Sequence, residues 1–174
     1  MYIFTENLVI REAESSAIVE DIDIANKALP DYISGEDALK AASASHPEIS
    51  KLDLIETARI MFCFFDKNPA VYEIVSRESG QVIGYFQLIH TNRKTPSFDI
   101  RFYPDAQRKG YGTEAVKAVV EELKKDPKYT SLLGLVLAHY PSYISWLEKL
   151  GAIELKQSNR KVRLLIRVYS FPLK

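Results

Sequence analysis

The sequence has little cysteine and histidine: Cys63 is its one cysteine, and there are three histidines. One cysteine cannot form an internal disulfide, and no metal-ligand spacing accompanies it. No apolar run approaches the roughly 20 residues that cross a bilayer, and the first residues lack the basic and then apolar order of a secretory signal. We therefore expect a cytoplasmic protein that needs no metal and no membrane, with Cys63 as an inert packing residue.

Neither sign of charge is in excess, because 23 Lys and Arg balance 23 Asp and Glu. Such a chain has no general attraction to nucleic acid or to an anionic membrane. The charges are nevertheless unevenly placed. Residues 1–66 hold 5 basic and 13 acidic side chains, a net charge of −8, and residues 67–174 hold the opposite excess of +8. Either the clusters are accidental solvated faces, or a cationic ligand meets the first part and an anionic ligand the rest.

Hydrophobic residues make up 47% of the 174 residues, the proportion of an ordinary folded protein. The chain shows no repeat and no long linker. Its length and composition predict one domain that extends over residues 1–174.

The first part of the chain is predicted to be mostly helical. Leu8 to Arg11 indicates a short strand, and Ala17 to Ala28 a helix that ends before Pro30. The Ala- and Ser-rich segment 41–45 is typical of a helix end or a loop. A further amphipathic helix is predicted from about Ser50 to Phe65, with a stripe that joins the core, formed by Leu54, Ala58, Met61, Phe62 and Phe65.

The middle of the chain changes to strands. Residues 71–76 and 82–90 predict a hairpin around Ser79-Gly80, and residues 98–103 a strand with one apolar face, stopped by Pro104. A helix then runs to about residue 126, and residues 132–138 read as a buried strand. A strand, helix, strand unit of this kind pairs its strands in parallel, and ligands collect beyond their carboxyl ends.

The last part is predicted to begin with a helix from Pro141 to Gly151, since proline favours a first turn and glycine a helix end. Strands are expected at residues 153–156 and 162–169. In the second of these strands, apolar residues alternate with three basic residues: Lys161, Arg163 and Arg167. We interpret these basic side chains as a solvated face of the sheet rather than as a nucleic-acid contact.

The segment from Gln107 to Gly112 joins the middle strand to its helix. Its glycines let backbone N–H groups face a ligand, and the unpaired N–H groups at the helix start favour phosphate. Arg108 and Lys109 add positive charge. The spacing is not that of a nucleoside-triphosphate P-loop, and it lacks the third glycine of a dinucleotide fingerprint. The pattern predicts a pyrophosphate-binding loop and excludes nucleotide-dependent hydrolysis and hydride transfer.

These residues resemble the GNAT N-acetyltransferases, whose signature Gln/Arg-x-x-Gly-x-Gly/Ala matches Gln107, Gly110 and Gly112. Residues 97–123 are similar to the core motif of that family, and the resemblance extends over about residues 5–170. Within the family the chain looks most like the branch that acetylates ribosomal-protein N-termini, since it contains Leu-Glu-Lys-Leu-Gly at residues 147–151. The implied fold, of the α+β or α/β class, is a strongly twisted mixed sheet with helices on both faces and a β-loop-α-β acyl-CoA core.

The resemblance implies that the protein moves an acetyl group from acetyl-CoA to a primary amine, without a metal. Acetyl-CoA and an amine acceptor are then its partners. The sequence does not indicate the oligomeric state, and a homodimer is an open alternative. The acetyl-CoA would lie in a wedge between two parallel strands. The residues implied for its binding are Arg101, Phe102, Tyr103, Gln107, Arg108, Lys109, Gly110, Tyr111, Gly112, Thr113 and Tyr140.

Acetyl transfer needs a neutral amine and a proton source for the departing thiolate. The branch commonly has Asn-x-x-Ser where this chain has Tyr140 to Tyr143, and a tyrosine where this chain has Leu147. Tyr143 is our candidate acid, with a packed aromatic as the alternative. Asp99 and His139 are the candidate bases, although His139 also fits a purely structural role.

Other functions remain open at this stage. The altered positions are compatible with an acyl-CoA-binding module that lacks turnover. A different acyl donor, such as succinyl-CoA, would need a cationic partner for its carboxylate. The acceptor could be a peptide N-terminus, a polyamine or an aminoglycoside-like drug, because the residues expected around it carry no transferable motif.

Overall fold

The computed structural model describes residues 1–62, 64 and 68–174. Within this part of the chain the strands are β1 (Tyr2–Phe4), β2 (Leu8–Glu12), β3 (Ala70–Ser76), β4 (Val82–Ile89), β5 (Ser97–Phe102), β6 (Ser131–Leu137), β7 (Ile153–Glu154) and β8 (Ile166–Pro172). The helices are α1 (Ala17–Lys27), α2 (Gly35–Ser45), α3 (Lys51–Phe62), α4 (Tyr111–Lys124), α5 (Pro141–Lys149) and α6 (Arg160–Arg163).

The strands form one sheet in the order β1-β2-β3-β4-β5-β6-β8-β7. Neighbouring strands are antiparallel except β5 and β6, which are parallel as the sequence predicts. Their pairing covers only Ser97 with Leu133 and Phe98 with Gly134. Because both strands continue beyond these pairs, they separate towards their carboxyl ends and leave a wedge between them.

Helices cover both faces of the sheet. Successive residues of a strand point to opposite faces. On β4, Phe86 packs in the main core with Val116 and Val119 of α4, whereas the hydroxyl of Tyr85 faces Asp23 of α1 at 3.5 Å. The rings of Phe86 and Phe98 stack at 5.4 Å between centroids. Burial of each such side chain contributes about 1.5–3 kcal/mol, so the apolar stripe of α4 holds this helix on the sheet.

Several predicted elements are confirmed. The first strand, the helix at 17–28 and the helix from Pro141 match β2, α1 and α5. The hairpin of β3 and β4 turns at Gly80, whose φ is +68°, and the Gly80 amide donates to the Ser76 carbonyl at 2.8 Å. Gly151 also has a positive φ, +89°, where α5 ends. The fold class is therefore that implied by the sequence.

The predicted strand 162–169 is wrong in its first part and confirmed from Ile166 onward. Its first part is the short helix α6, since the Asn159 side chain accepts a hydrogen bond from the Lys161 amide and caps this helix. The strand β8 begins only at Ile166. The basic group does not form a solvated sheet face either: Arg163 binds Glu154 at 2.6 and 2.7 Å, and the Lys161 ammonium lies 3.8 Å from Asp53. The predicted strand at 153–156 is shorter, as β7 ends at Glu154.

The apolar stripe predicted for α3 is also wrong at Leu54, whose side chain is exposed. The buried face instead carries Asp53 and Thr57. Asp53 accepts hydrogen bonds from the amide and hydroxyl of Ser50 at the start of the helix, and Thr57 donates to the Asp53 carbonyl. Polar pairing thus replaces apolar packing. The side chain of Phe62, together with Cys63 and Phe65, lies outside the described residues.

No helix in the described ranges has both the length and the hydropathy to cross a membrane.

Candidate active site

A cavity of about 560 Å³ lies where β5 and β6 separate. The end of β5, the loop to α4, the first turn of α4 and the first turns of α5 form its walls, and α1 adds one residue. Nine of the residues proposed from sequence line it: Arg101, Phe102, Gln107, Arg108, Gly110, Tyr111, Gly112, Thr113 and Tyr143. The predicted cofactor loop and the candidate acid therefore meet in one cavity.

The loop into α4 presents backbone N–H groups because of its conformation. Gly110 has a φ of +85° and Arg108 one of +59°. The first bond of α4 runs from the Glu114 amide to the Gly110 carbonyl. The amides of residues 111–113 precede it and have no partner within the helix. Together with the helix dipole and the exposed Arg108 guanidinium, they fit an anion such as a pyrophosphate.

Gln107 has a part in this loop that the sequence did not indicate. Its side-chain amide donates to the Asn26 side chain at 2.6 Å and to the Phe102 carbonyl at 3.1 Å. These bonds join the middle of the loop to α1 and to the end of β5.

The backbone of β5 offers a second set of groups. The Tyr103 amide donates to Ile83 of β4 at 3.0 Å. Because bonding directions alternate along an antiparallel strand, the amides and carbonyls of Phe102 and Ile100 face away from β4, into the wedge. The Phe102 carbonyl already accepts from Asn26 and Gln107 and has no further lone pair to offer. Both backbone groups of Ile100 and the amide of Phe102 remain for a ligand.

Tyr143 lies half-buried in the first turn of α5. Its ring is 4.9 Å from that of Trp146, whose indole N–H donates to the Thr113 hydroxyl at 3.0 Å. Burial raises the pKa of the Tyr143 hydroxyl, and the charge of Asp99 raises it further. The hydroxyl is thus a weaker acid than an ordinary phenol, which already carries its proton at neutral pH.

Asp99 belongs to a polar cluster on the α1 face of the sheet. Its carboxylate accepts from the hydroxyl of the buried Tyr85 at 3.1 Å and lies 3.3 Å from the Arg101 guanidinium. Arg101 also binds Asp23 of α1 at 2.7 Å. The carboxylate of Asp99 is thus held by two donors, and it acts electrostatically on Tyr143 rather than lining the cavity.

The other proposed residues lie outside the lining of this cavity. His139 is exposed after β6, with its ring 5.8 Å from that of Tyr140. The Tyr140 hydroxyl donates to the Ile33 carbonyl at 3.1 Å, which fixes the segment before α2. Tyr103 and Lys109 flank the loop without lining the cavity.

Sequence reasoning missed five lining residues: Asn26, Ile100, Ala106, Ser142 and Trp146. For Asn26 a signal existed. It lies four residues after Ile22, which is fully buried, so an amide falls on the inner face of an otherwise apolar helix. A polar group there needs a partner, and Gln107 and Phe102 supply it.

A second cavity of about 600 Å³ lies beside α1, on the same face as the Asp99 cluster. Its walls include Glu20, Asp23 and Lys27 of α1 and Gln87 of β4. The ion pair of Asp23 with Arg101 lies between the two cavities, since Asp23 lines the second and Arg101 lines the first. Among the described residues no group of acidic, cysteine or histidine side chains could hold a metal ion.

Comparisons with known proteins agree with this geometry. Residues 32–153 match the family model described as an acetyltransferase (GNAT) domain. Because the match covers more than half of the chain, the chain belongs to the GNAT acetyltransferase family, and it is an acyltransferase. Members of this family typically use acetyl-CoA. A comparison with curated proteins finds no match.

Solved structures share the fold at low sequence identity. A GNAT-family acetyltransferase of Bacillus anthracis is 17% identical with a TM-score of 0.60, covering 99% of each chain. A mutant of spermidine N-acetyltransferase from Vibrio cholerae is 14% identical with a TM-score of 0.62, covering 97% of this chain and 95% of that one. A Vibrio cholerae protein proposed to be a ribosomal-protein-serine acetyltransferase is 14% identical with a TM-score of 0.60, covering 99% and 97%.

Proposed function

We propose that this protein transfers the acetyl group of acetyl-CoA directly to a primary amine while both substrates are bound. The observation that carries the proposal is the first cavity, which brings the signature loop, the free backbone groups of β5 and the Tyr143 hydroxyl together. Acetyl-CoA, when bound, supplies a thioester carbon that an amine can attack.

The residues of the cavity fit the parts of acetyl-CoA in the order in which these parts follow along the molecule. The amides of residues 111–113 and the Arg108 side chain would hold the pyrophosphate through charge-assisted hydrogen bonds. The wedge-facing groups of Ile100 and Phe102 would hold the pantetheine arm as a neighbouring strand would. Arg101 and Trp146 also line the cavity, with the Trp146 indole bonded to Thr113 at the start of α4. With the pantetheine arm held in this way, the thioester would lie on the side of the wedge that Tyr143 occupies.

As the amine forms the new C–N bond and the C–S bond breaks, Tyr143 would donate its proton to the departing thiolate, and the proton that the amine nitrogen loses would restore the phenol. Burial raises the pKa of this phenol, and the same apolar surroundings raise the pKa of the thiol that forms. Donor and acceptor thus remain comparable in proton affinity, which general acid catalysis requires. Leu147, at the position where the branch commonly has a tyrosine, is fully buried and has no proton to give.

The amine would approach through the second cavity. Its two carboxylates, Glu20 and Asp23, against one cationic lining residue, Lys27, would attract a cationic acceptor, and Asp23 is paired with Arg101 of the first cavity. An α-amine needs no base, because about 14% of it is neutral at pH 7, whereas a lysine-like amine is neutral only about once in a few thousand and needs one. We propose a primary amine as acceptor: an α-amine if the transfer proceeds without a base, and a polyamine if a base takes part. The spermidine enzyme of Vibrio cholerae shares the fold and is named for such a substrate.

The test is single-turnover acetyl transfer followed by mass spectrometry of the acceptor. The acceptors are spermidine, a short peptide with a free N-terminus and an aminoglycoside, each with acetyl-CoA and, separately, succinyl-CoA. We expect an acetylated amine from acetyl-CoA with at least one acceptor. Tight acetyl-CoA binding without product from any acceptor would replace the proposal with an acyl-CoA-binding module, and a preference for succinyl-CoA would correct the donor.

A further inference from the structure

We propose that Asn26 is a positioning residue for the acetyl-CoA loop, and that α1 sets acetyl-CoA affinity through it. The inference rests on the proposed function, because acetyl-CoA is the ligand concerned. Asn26 lies on α1, far in sequence from the signature loop that it would hold in place.

The Asn26 side chain joins three parts of the molecule. Its Nδ2 donates to the Ile22 carbonyl and to the Phe102 carbonyl, both at 2.9 Å, and its Oδ1 accepts from the Gln107 amide at 2.6 Å. Gln107 also donates to the Phe102 carbonyl at 3.1 Å. Both Nδ2 protons are used, so the amide is fixed in this orientation. Asn26, Gln107 and Phe102 form a closed triangle at the edge of the cavity.

The loop needs such a support because its backbone is strained. Arg108, directly after Gln107, has a φ of +59°, which residues other than glycine adopt at a cost. Strained backbone persists when surrounding contacts determine it. Two sets of contacts hold the backbone of Arg108. The hydrogen bonds of Gln107 hold it on its N-terminal side, and the first turn of α4 holds it on its C-terminal side. Without Asn26, Gln107 would keep one partner, the Phe102 carbonyl.

The same triangle decides which backbone groups the ligand can use. With two donors on the Phe102 carbonyl, the pantetheine arm is left with the Phe102 amide and the groups of Ile100. Loss of Asn26 has two effects: it frees one lone pair of the Phe102 carbonyl, and it removes one support of the loop. Acetyl-CoA would then meet a less ordered site, and its affinity would fall while the chemistry at Tyr143 stays intact.

The experiment is calorimetric titration of acetyl-CoA into the wild type, Asn26→Ala, Gln107→Ala and the double variant. We expect each single variant to raise the Kd about three- to tenfold, the loss of a typical hydrogen bond. The Kd of the double variant should be no higher than that of the single variant with the higher Kd, because both changes break the same triangle of hydrogen bonds. At saturating acetyl-CoA, kcat should stay within about twofold of the wild type.

A matched control separates positioning from general destabilisation. Asn159 is also half-buried, and its side chain donates to Asp53 and Glu56, none of which lines the cavity. Asn159→Ala should lower the Tm and leave the acetyl-CoA Kd unchanged. Asn26→Asp keeps the acceptor for Gln107 but sets a carboxylate oxygen against the Phe102 carbonyl, so its Kd should exceed that of Asn26→Ala.

Two results would overturn the inference: a folded Asn26→Ala that binds acetyl-CoA like the wild type, or strictly additive losses in the double variant. If Asn26→Ala does not fold, Asn26→Asp decides, because it keeps the size of the side chain and changes only its bond to the Phe102 carbonyl and to the Ile22 carbonyl. Failure of the wild type to bind acetyl-CoA would instead refute the proposed function.

Discussion

Tyr143 is the one ionisable hydroxyl among the residues that line the first cavity from α5. A phenol keeps its proton at neutral pH, and burial raises the pKa of Tyr143 above the ordinary value. We predict that Tyr143→Phe lowers kcat by about 10²-fold or more, the usual contribution of a general acid, and changes the acetyl-CoA Kd less than threefold. Single-turnover kinetics and calorimetry measure the two quantities. A kcat equal to that of the wild type would make Tyr143 a packing residue.

Gly110 is needed for its backbone conformation rather than for space. Its φ is +85°, and a Cβ there would meet no heavy atom within 4 Å. We predict that Gly110→Ala costs about 1–2 kcal/mol of stability, lowers the Tm by roughly 2–8 °C and weakens acetyl-CoA binding. Gly35 of α2 is the control, since a Cβ there would lie 4.0 Å from Leu137 at normal φ. Equal melting of wild type and Gly110→Ala would contradict this account.

At the scale of residues, the sequence predicted those parts of the candidate site whose residues lie close together along the chain. Gln107, Gly110 and Gly112 lie in one short segment whose order is itself the signature. Asn26 and Trp146 reach the cavity from α1 and α5, and only the packing of these helices against the sheet brings them there. His139 fits the titration range of a base, yet it lies exposed beyond β6.

Helices α3 and α6 are joined by a polar contact whose strength depends on pH. Hydrogen bonds from the Ser50 side chain, the Asn159 side chain and the Ser50 amide lower the pKa of Asp53 from 3.8 to about 2. A carboxylate whose pKa is lower in the folded state stabilises the fold above its unfolded pKa, and this contribution is lost as pH falls towards the folded pKa. The contribution is complete above about pH 5 and declines as the pH approaches about 2.

We predict that Asp53→Asn is less stable than the wild type at pH 7, and that the difference narrows steadily below pH 4. Chemical denaturation at pH 7, 4 and 3 measures this difference. Asp31→Asn, at an exposed position, is the control and should show no such trend. A difference that does not change with pH would mean that the ionised form of Asp53 is not what joins the two helices.

At the scale of elements, periodicity predicted those that pack one apolar face on the sheet, such as α4 and β5. It failed where polar contacts decide. The alternation from Val162 is apolar enough for a strand, but the cap by Asn159 starts a helix there. In α3 the inner face is formed by Asp53 and Thr57, which no apolar pattern can indicate.

At the scale of the whole molecule, the division of charge follows the two cavities. The loop proposed to bind acetyl-CoA lies in the part of the chain with a net charge of +8, and α1, which lines the second cavity, lies in the part with −8. An anionic nucleotide and a cationic amine would thus be attracted to different places. The mixed sheet brings both places together, because Asp23 and Arg101 bridge them.

The melting temperature of the protein with and without acetyl-CoA tests the central claim, that the first cavity holds this ligand. ATP at equal concentration controls for general phosphate binding. At a hundredfold excess over the Kd, binding adds about 2.7 kcal/mol of stability, which corresponds to a rise of roughly 5–10 °C for a domain of this size. We predict that rise with acetyl-CoA and a much smaller one with ATP. No rise with acetyl-CoA, or an equal rise with ATP, would contradict the assignment of the cavity.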